Sequence, residues 1–322
     1  MTQFNVVVTD DRYRGRYEIE RSVLQSVDAE LTVHDLETED QAVHVVREAD
    51  AVLANLFPIN AELIASMKRC QIISRYGVGY DNVDVDAATA KGIWVANVPD
   101  YAIEDVSDHA LALLMACVRK IPYRDRGIRE GHWNLAVDPP IHRVRDRVLG
   151  LIGFGAIAKA LRRKVSGLGL ARVLGHDPYV DEATWKEHQV ESATLEELLR
   201  TSDFISIHAP LTDDTMNMIG AEQIEIMKDE AILINTARGG LLDEQIVAQA
   251  LSDGKIGYAG LDVFQEEPIP NDSLLRTLDN VVLSDHAAWY SEEAMLELKA
   301  KVATNVADVL RGGRPTYPVN KV

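Results

Sequence analysis

The sequence has little cysteine and no long apolar run. Cys70 and Cys117 are its 2 cysteines, and both lie inside apolar segments without CxxC or Cys/His spacing. We therefore expect neither a disulfide framework nor a structural zinc site. No stretch approaches the roughly 20 apolar residues of a membrane span, and the N-terminus MTQFNVVVTDD lacks the basic flank and apolar core of a signal peptide. These absences predict a cytoplasmic protein that holds no metal.

Basic residues are also scarce. The chain of 322 residues contains 33 Lys and Arg against 51 Asp and Glu, so that its formal net charge is −18. Such a surface repels nucleic-acid backbones and anionic lipids, although the segment HRVRDR at 142–147 is a local basic patch. The charge therefore predicts no nucleic-acid partner and no membrane partner.

What the sequence does contain is a regular alternation of short β-branched runs and helical patterns, at a length that suits two domains. The first series of predicted strands lies at 4–10, 29–36, 50–57, 70–77 and 94–99. The second series follows a polar segment at 134–147 and reads VLGLIGFG, ARVLGHDPY, DFISIHAP, AILINTARG, YAGLDVF and NVVLSD. Strands that alternate with helices form parallel sheets covered on both faces. The sequence thus predicts an α/β protein with two open parallel sheets.

Two helical segments lie outside this alternation. Residues 101–121 are apolar on nearly every face, which predicts a helix buried between the domains, in an oligomer interface, or in both. Residues 291–313 follow the second sheet, and we expect them to pack on the first domain. The predicted domains are therefore 1–100 with 290–322, and 101–289.

The strongest local pattern is Gly153-x-Gly155-x-x-Ala158, which stands between an apolar strand and a helix. This context is typical of a dinucleotide fingerprint: Gly153 permits the tight turn, Gly155 lets the backbone approach the pyrophosphate, and Ala158 allows close packing of helix on strand. The alternative is a strand–helix turn without a ligand. Asp177 follows Gly153 by 24 residues and is placed to accept hydrogen bonds from the ribose hydroxyls, which favours NAD over NADP.

Charged residues follow other predicted strands, at the edge where open α/β sheets bind ligands. Arg238 ends the strand of AILINTARG, Asp262 and the pair Glu266-Glu267 follow YAGL, and His286 follows NVVLSD. The forked guanidinium of arginine suits a carboxylate held by two hydrogen bonds, and one of the carboxylates is expected to face a histidine. The alternative for each residue alone is a solvated surface charge.

The motifs together resemble a known family. The order GFGAIA, HDPY, HAPLTDDT, INTARGGLLDE, AGLDVFQEEP and DHAAWYSE is similar to that of the NAD-dependent D-isomer-specific 2-hydroxyacid dehydrogenases. The segment SRYGVGYDNVDVDAATAKGIWVANVP resembles the substrate domain of that family, so the resemblance covers essentially the whole chain. DPYVDE and HAAWYSEEA are most similar to the branch that includes the C-terminal-binding-protein corepressors. The resemblance implies a Rossmann NAD-binding domain inserted in a flavodoxin-like substrate domain.

The resemblance also implies a catalytic set of Arg238, Glu267 and His286. His286 would exchange a proton with the keto or hydroxyl oxygen, and Glu267 would orient the imidazole and favour its protonated form. Arg238 would bind the substrate carboxylate and polarise the carbonyl. The expected reaction is the reversible reduction of a 2-keto acid to a D-2-hydroxy acid with NAD as cofactor.

The remaining site residues follow from the same resemblance. The implied cofactor-binding set is Gly153, Gly155, Ala156, Ile157, Asp177, His208, Pro210, Thr236, Ala237, Arg238, Asp262 and His286. Within it, Ala156 and Ile157 would lie under the pyrophosphate, and Asp262 would bind the carboxamide. The implied substrate-binding set is Val78, Gly79, Arg75, Tyr76, Arg238 and Trp289, with the Val78 and Gly79 amides on the substrate carboxylate.

Trp289 is the best indication of the substrate. It is expected to wall the pocket beside an apolar side chain of a 2-keto acid, together with Met67, Tyr76 and Tyr101. The alternative is a core tryptophan that caps the last helix. Asp285 departs from the family, which usually has a proline there, and adds a negative charge beside His286. The expected site is a cleft between the domains that closes by a hinge near 99–101 and 286–290.

Three functions are left open by the sequence. The first is the dehydrogenase; the second is an NAD-sensing interaction module with weak catalysis, like the corepressors. The third is phosphoglycerate dehydrogenase, for which a regulatory domain is expected after residue 322 and is absent from the sequence. In each case a homodimer is expected through the helix near 101–121, and the expected small-molecule partner of the enzyme is a 2-keto or 2-hydroxy acid.

Overall fold

A computed structural model describes residues 4–133 and 139–322. The internal contacts divide the chain into two compact units. Unit 1 comprises Met1–Ala102 and Ser291–Val322, and unit 2 comprises Ile103–Tyr290. Part of the polar segment predicted at 134–147, namely 134–138, lies outside the described residues.

Unit 1 alternates strands and helices as the sequence predicts. Its strands are β1 (Phe4–Val8), β2 (Ala29–Val33), β3 (Ala51–Ala54), β4 (Ile72–Arg75) and β5 (Trp94–Ala96). Its helices are α1 (Glu18–Gln25), α2 (Glu39–Val46), α3 (Ala61–Ser66), α4 (Val85–Ala90) and, from the second stretch of chain, α12 (Glu292–Leu310).

The five strands of unit 1 form one parallel sheet in the order β2-β1-β3-β4-β5. α12 packs against α1 and β4, and Ser74 Oγ donates a hydrogen bond to the Val302 carbonyl at 3.0 Å. The strand predicted at 50–57 ends earlier, at Ala54, because the backbone amides of the next two residues bind a side chain instead of a neighbouring strand. The amides of Asn55 and Leu56 donate to the carboxylate of Asp10 at 3.0 and 2.7 Å.

Unit 2 contains the second series. Its strands are β6 (Val148–Ile152), β7 (Arg172–His176), β8 (Glu191–Ser192), β9 (Phe204–Ile207), β10 (Ile232–Asn235), β11 (Tyr258–Leu261) and β12 (Val281–Leu283). Its helices are α5 (Ile103–Arg119), α6 (Ile121–Arg129), α7 (Ala156–Lys164), α8 (Glu182–Glu187), α9 (Leu195–Thr201), α10 (Ala221–Ile226) and α11 (Glu244–Ser252). Short 3₁₀ turns lie at Val165–Leu168, Gly239–Leu241 and Leu274–Thr277.

The seven strands of unit 2 form a parallel sheet in the order β12-β11-β10-β9-β6-β7-β8. Apolar clusters cover both of its faces, which confirms the predicted α/β class with two parallel sheets. The strand order changes direction beside β6, between β7 and β9. Ligands of open α/β sheets bind at the carboxyl ends of the strands next to such a switch point, so the fold directs attention to the loops that follow β6, β7 and β9.

The single chain shows which part of α5 is buried without a partner. Its buried residues pack on α7 and on β10, β11 and β12 within unit 2. Glu104, Asp108 and Ala112 are exposed, and Leu111 and Met115 are only partly covered. Within the single chain the helix is therefore covered along one face, and its predicted place in an oligomer interface stays a prediction.

Many helices begin at a side chain that accepts a hydrogen bond from the first turn. Thr38 and Gln41 form a reciprocal capping box at the start of α2, and the Ser291 hydroxyl accepts from the Ala294 amide at the start of α12. Such caps typically stabilise a helix by about 1 kcal/mol. Among the described residues, none of the helices combines the length and the apolar character that crossing a lipid bilayer requires.

Candidate active site

The residues predicted for cofactor and catalysis stand at one edge of the unit 2 sheet. Each follows the carboxyl end of a different strand, and their order along the edge is the strand order. From one side to the other they are His286 after β12, Asp262 after β11, Thr236 after β10, His208 after β9, Gly153 after β6 and Asp177 after β7. Parallel pairing thus brings together residues that are far apart in the sequence.

The glycine turn between β6 and α7 has the geometry of a phosphate site. Gly153 has a φ of +81°, and a β-carbon there would lie 2.6 Å from the Ala209 amide nitrogen, so that only glycine fits. Gly155 precedes the first residue of α7, and a β-carbon added to it would meet nothing within 4 Å. The helix N-terminus therefore faces open space, where its amide groups and partial positive charge suit an anion.

Asp177 is fixed beside this turn. Its Oδ2 accepts a hydrogen bond from the Phe154 amide at 2.9 Å, and its Oδ1 accepts one from the Tyr179 amide at 2.9 Å. Each carboxylate oxygen has a second lone pair, so the contacts orient the group and leave acceptor sites for ribose hydroxyls. The geometry fits the predicted role of Asp177 toward NAD.

The loop after β10 contains a buried hydroxyl group, that of Thr236, which suits a contact with a ligand. Asn235 is fully buried, and its side chain accepts from the Ala237 amide at 3.0 Å and donates to the Arg238 carbonyl at 2.8 Å. Among the described residues, the buried Oγ1 of Thr236 has no hydrogen-bond partner. A buried hydroxyl normally finds one, and a bound dinucleotide would supply it.

His208 follows β9 at the same edge of the sheet, and its side chain is uncharged. Its Nε2 lies 2.9 Å from the Ser206 hydroxyl. Burial lowers the pKa of His208 to about 4, so the ring carries no charge at neutral pH. Together with the open helix N-terminus and the Thr236 hydroxyl, this neutral wall fits a dinucleotide.

His286 and Glu267 form a close pair. His286 Nδ1 lies 2.7 Å from Glu267 Oε2, and both side chains are about one third exposed. Glu267 also accepts a hydrogen bond from the Phe264 amide at 3.0 Å. Partial burial opposes its ionisation, but the His286 hydrogen bond and charge, the Phe264 amide and the Arg238 guanidinium together hold the pKa of Glu267 below its usual value. The hydrogen-bonded pair is therefore suited to hold and transfer a proton.

Asp262 is buried and holds the loop that carries His286. Its Oδ1 accepts from the Ser284 hydroxyl at 2.6 Å and from the Ala287 amide at 2.9 Å, and its Oδ2 accepts from the Ala288 amide at 2.9 Å. The side chain thus has three donors within unit 2. Its assignment to the nicotinamide carboxamide stays a prediction.

The predicted substrate-binding residues of unit 1 lie at the end of β4: Arg75 is its last residue, and Tyr76, Val78 and Gly79 lie in the loop that follows. The carbonyls of Gly77 and Val78 accept hydrogen bonds from the Val98 amide and the Asn97 side chain at 2.9 and 2.6 Å, which fixes this loop. Arg75 donates to the Tyr76 carbonyl. The loop therefore presents its backbone in a defined conformation at the carboxyl edge of the unit 1 sheet.

The residues predicted to wall the pocket have different positions. Tyr76 is 2% exposed and donates to Glu20 in the interior of unit 1, so its predicted substrate role depends on its backbone. Met67 is 1% exposed in the unit 1 core, and no part of its side chain is left to face a ligand, which corrects its prediction as a wall. Trp289 packs edge-on against Tyr290, with ring centroids 5.7 Å apart.

Three residues that the sequence prediction missed help to build the site. Asn235 holds the Arg238 loop, and His109 and Ser284 contact the Asp262 carboxylate or each other. The signal for Asn235 was its place at the end of the apolar strand LIN. His109 and Ser284 are 175 residues apart, and no local pattern connects them.

Comparison with known proteins agrees with this geometry. A family model for "D-isomer specific 2-hydroxyacid dehydrogenase, NAD binding domain" matches residues 111–288. A glyoxylate reductase of Korarchaeum cryptofilum is 44% identical over 280 residues, which cover 86% of this chain and 84% of that protein. A D-3-phosphoglycerate dehydrogenase of Methanocaldococcus jannaschii is 36% identical over 98% of this chain, which spans 59% of that protein.

Solved structures share the fold. The D-lactate dehydrogenase from Aquifex aeolicus complexed with NAD and lactic acid is 27% identical to this chain, with a TM-score of 0.87 and 96% coverage of each chain. Unit 2 is accordingly the NAD-binding domain, and the cofactor is NAD(H). The chain belongs to the D-isomer-specific 2-hydroxyacid dehydrogenases, a family of NAD-dependent oxidoreductases.

Proposed function

We propose that the protein interconverts a 2-keto acid and a D-2-hydroxy acid with NAD(H), using His286 as the acid and base. The observation that carries the proposal is the 2.7 Å contact between His286 and Glu267, at the same strand edge as the glycine turn. A bound nicotinamide supplies the hydride for reduction and accepts it in oxidation. The protein must then move one proton and stabilise charge on one oxygen.

The proton belongs to the imidazole nitrogen that faces away from Glu267. Nδ1 donates to the carboxylate, so Nε2 gives its proton to the keto oxygen in reduction and takes it from the hydroxyl in oxidation. The ionised Glu267 stabilises the imidazolium form, and the Phe264 amide keeps the carboxylate in place.

Arg238 is the residue proposed to bind the negative charge of the substrate. The backbone carbonyl of Arg238 accepts a hydrogen bond from the Asn235 side chain, and Arg238 Nη1 donates to the Ala237 carbonyl at 2.8 Å. The first contact fixes the backbone at Arg238, and the second fixes the guanidinium end of the side chain. We propose that the Arg238 guanidinium binds the substrate carboxylate and polarises the substrate carbonyl. For unit 1, we propose that the amides of Val78 and Gly79 bind a carboxylate.

Replacement of His286 tests the mechanism. His286→Ala should lower kcat for 2-keto acid reduction by roughly 10²–10⁴-fold, because general acid catalysis is lost, while NADH affinity is retained. NADH consumption measures the first quantity, and fluorescence titration with NADH measures the second. His44→Ala on the exposed surface of α2 is the matched control. An unchanged kcat in His286→Ala would remove this residue from the mechanism.

The substrate class follows from a panel of 2-keto acids, from glyoxylate and hydroxypyruvate to phenylpyruvate. Trp289 favours bulky apolar side chains if it walls the pocket, and we expect Trp289→Ala to raise KM for phenylpyruvate more than for glyoxylate. Equal effects on both acids would identify Trp289 as a packing residue of unit 2. The ratio of kcat/KM values for the two acids measures this difference.

The second candidate is the NAD(H)-sensing interaction module, to which the resemblance of HAAWYSEEA to the corepressor branch points. We favour the enzyme because the relatives described above are named as reductases and dehydrogenases. Tight NADH binding with no turnover of any 2-keto acid would reverse this preference. The cytoplasmic location predicted from the sequence is likewise a proposal.

We also propose a homodimer that uses α5 and α6. No residue of α6 is buried, and Ile121 and Ile128 are 57% and 53% exposed. Beside α6, a cavity of about 500 Å³ opens at the amino ends of β9, β10 and β11, opposite the site edge. Exposed apolar side chains beside an open cavity are typical of a surface covered by a partner, and the cavity lies away from the catalytic residues.

A further inference from the structure

A second histidine, His109 on α5, is tied to the loop that carries His286. His109 Nε2 lies 2.8 Å from Ser284 Oγ, and Ser284 Oγ lies 2.6 Å from Asp262 Oδ1. We infer that His109, Ser284 and Asp262 form a positioning chain that holds His286 in its reactive conformation. The inference rests on the proposed function, in which His286 is the acid and base.

Asp262 is the centre of this chain. It is fully buried and directly follows β11, beside the strand that leads to His286. Its carboxylate accepts from Ser284, Ala287 and Ala288, and its backbone carbonyl accepts from the His286 amide at 2.8 Å. One residue therefore binds the chain before, at and after His286.

The direction of the hydrogen bonds follows from the chemistry of the groups. An ionised carboxylate only accepts, so the single Ser284 proton is donated to Asp262. Ser284 Oγ must then accept from His109, which places a proton on His109 Nε2. His109 Nε2 also lies 3.5 Å from Asp262 Oδ1, so this N–H turns its positive end toward the buried negative charge and reduces the cost of burying it.

The loop needs such support because His286 is in a rare backbone conformation. Its φ is +54°, in the left-handed region that is unfavourable for a non-glycine residue. Residues persist there when their surroundings determine the conformation. At His286 the conformation is held by the hydrogen bonds that Ser284 and Ala287, on either side of it, donate to the buried Asp262 carboxylate.

His109 provides an anchor that the loop lacks by itself. α5 packs on β10, β11 and β12, so the His109 backbone is fixed relative to the strands that carry the site. Ser284 has two partners, Asp262 and His109, and the second sets the rotamer in which its hydroxyl reaches the carboxylate. Loss of either contact loosens the His286 loop without removing any group that touches the reactants.

The test uses four variants of the full chain. Ser284→Ala and His109→Leu remove the chain, and we expect each to lower kcat by on the order of 10–100-fold, as a small misplacement of a catalytic group does, with little change in KM and NADH affinity. Ser284→Thr keeps the hydroxyl and His109→Gln keeps an N–H donor, and we expect both to restore kcat to near the wild-type value. Ser202→Ala is the matched control, because Ser202 is fully buried and its hydroxyl has no hydrogen-bond partner among the described residues.

Two results would overturn the inference. The first is a wild-type kcat in Ser284→Ala and His109→Leu. The second is a loss of kcat that the Thr and Gln variants do not restore, since this would assign the loss to packing. Thermal unfolding of each variant shows whether it folds, and the rescue pair keeps the comparison valid if Ser284→Ala is unstable. His286→Ala distinguishes the two proposals: if it is inactive while Ser284→Ala is normal, only the positioning chain fails.

Discussion

At the residue scale, two glutamates show how surroundings move the same group in opposite directions. Burial opposes ionisation of Glu267, but His286, the Phe264 amide and Arg238 outweigh it and lower its pKa. Glu20 on α1 is fully buried, and desolvation raises its pKa although Lys299 and the Tyr76 hydroxyl favour the charged form. The carboxyl group in the site is therefore held charged, and the one in the interior of unit 1 is shifted toward its neutral form.

The stability gained by Glu20→Gln should depend on pH. Because folding raises the pKa of Glu20, the wild type has its full stability below the unfolded-state pKa of about 4.3 and loses stability as the pH rises through the folded-state pKa. Glutamine keeps the acceptor for the Tyr76 hydroxyl and has no charge to lose. The variant should therefore become more stable relative to the wild type from acidic to neutral pH, as urea unfolding at several pH values measures.

Glu48 offers a control of opposite sign. It is exposed and paired with Lys68 at 2.8 Å, and this hydrogen bond lowers its pKa. Glu48→Gln should lose stability relative to the wild type, or show no change, over the same pH range. A Glu20→Gln difference that is independent of pH would show that burial does not penalise the Glu20 charge.

How far the sequence predicts single residues depends on where they stand. Gly153, Asp177 and His286 follow strands, and parallel pairing places the ends of strands together, so their positions at one edge follow from the pattern alone. The partnership of His109 with Ser284 could not be predicted, because it depends on how α5 rotates over the sheet. The interior position of Met67 was missed for the same reason, since packing of α3 on its sheet decides which side chains face inward.

At the scale of elements, the turn from β6 to α7 allows two glycine requirements to be separated. Gly153→Ala places a β-carbon 2.6 Å from a backbone nitrogen at a φ of +81°. The variant should lose stability by more than about 1 kcal/mol, because strain and overlap add. Thermal unfolding without cofactor measures the loss.

Gly155→Ala is the matched variant in the same turn. Its β-carbon would meet nothing within 4 Å, so stability should stay within about 0.5 kcal/mol of the wild type, while NADH affinity should fall because the methyl group occupies the space expected for the pyrophosphate. Unchanged NADH binding in Gly155→Ala would place the pyrophosphate elsewhere.

The elements themselves were predicted to different extents. β-branched runs revealed the strands that are buried in the sheets, because a buried parallel strand is apolar throughout. β8 was missed because it consists of two exposed residues, Glu191 and Ser192, whose strand conformation depends on pairing with β7. The strand predicted at 50–57 also extended too far. The amides of Asn55 and Leu56, after Ala54, donate hydrogen bonds to the Asp10 carboxylate rather than to a neighbouring strand.

At the scale of the whole molecule, the proposed dimer can be tested at the surface of α6. Ile128→Glu introduces a charge at an apolar position that is 53% exposed in the single chain. If this position is covered in a dimer, the buried charge should shift the equilibrium toward monomer. Light scattering during gel filtration at several concentrations measures the change in mass.

Leu296→Glu on α12, at a position that is 56% exposed in unit 1, is the control for an added surface charge. It should leave the mass unchanged. A wild type that is monomeric at all concentrations would contradict the proposed dimer directly, because α6 would then have no partner surface to lose.

The division of unit 1 into two stretches of chain has a consequence for synthesis on the ribosome. α12 covers parts of α1 and β4, and Val302 accepts a hydrogen bond from Ser74, 228 positions earlier. Residues 103–290 are translated between these partners. The NAD-binding unit is therefore complete in the nascent chain while unit 1 still lacks α12. Unit 1 then finishes folding last, and the surface that α12 covers stays exposed to chaperones throughout the interval.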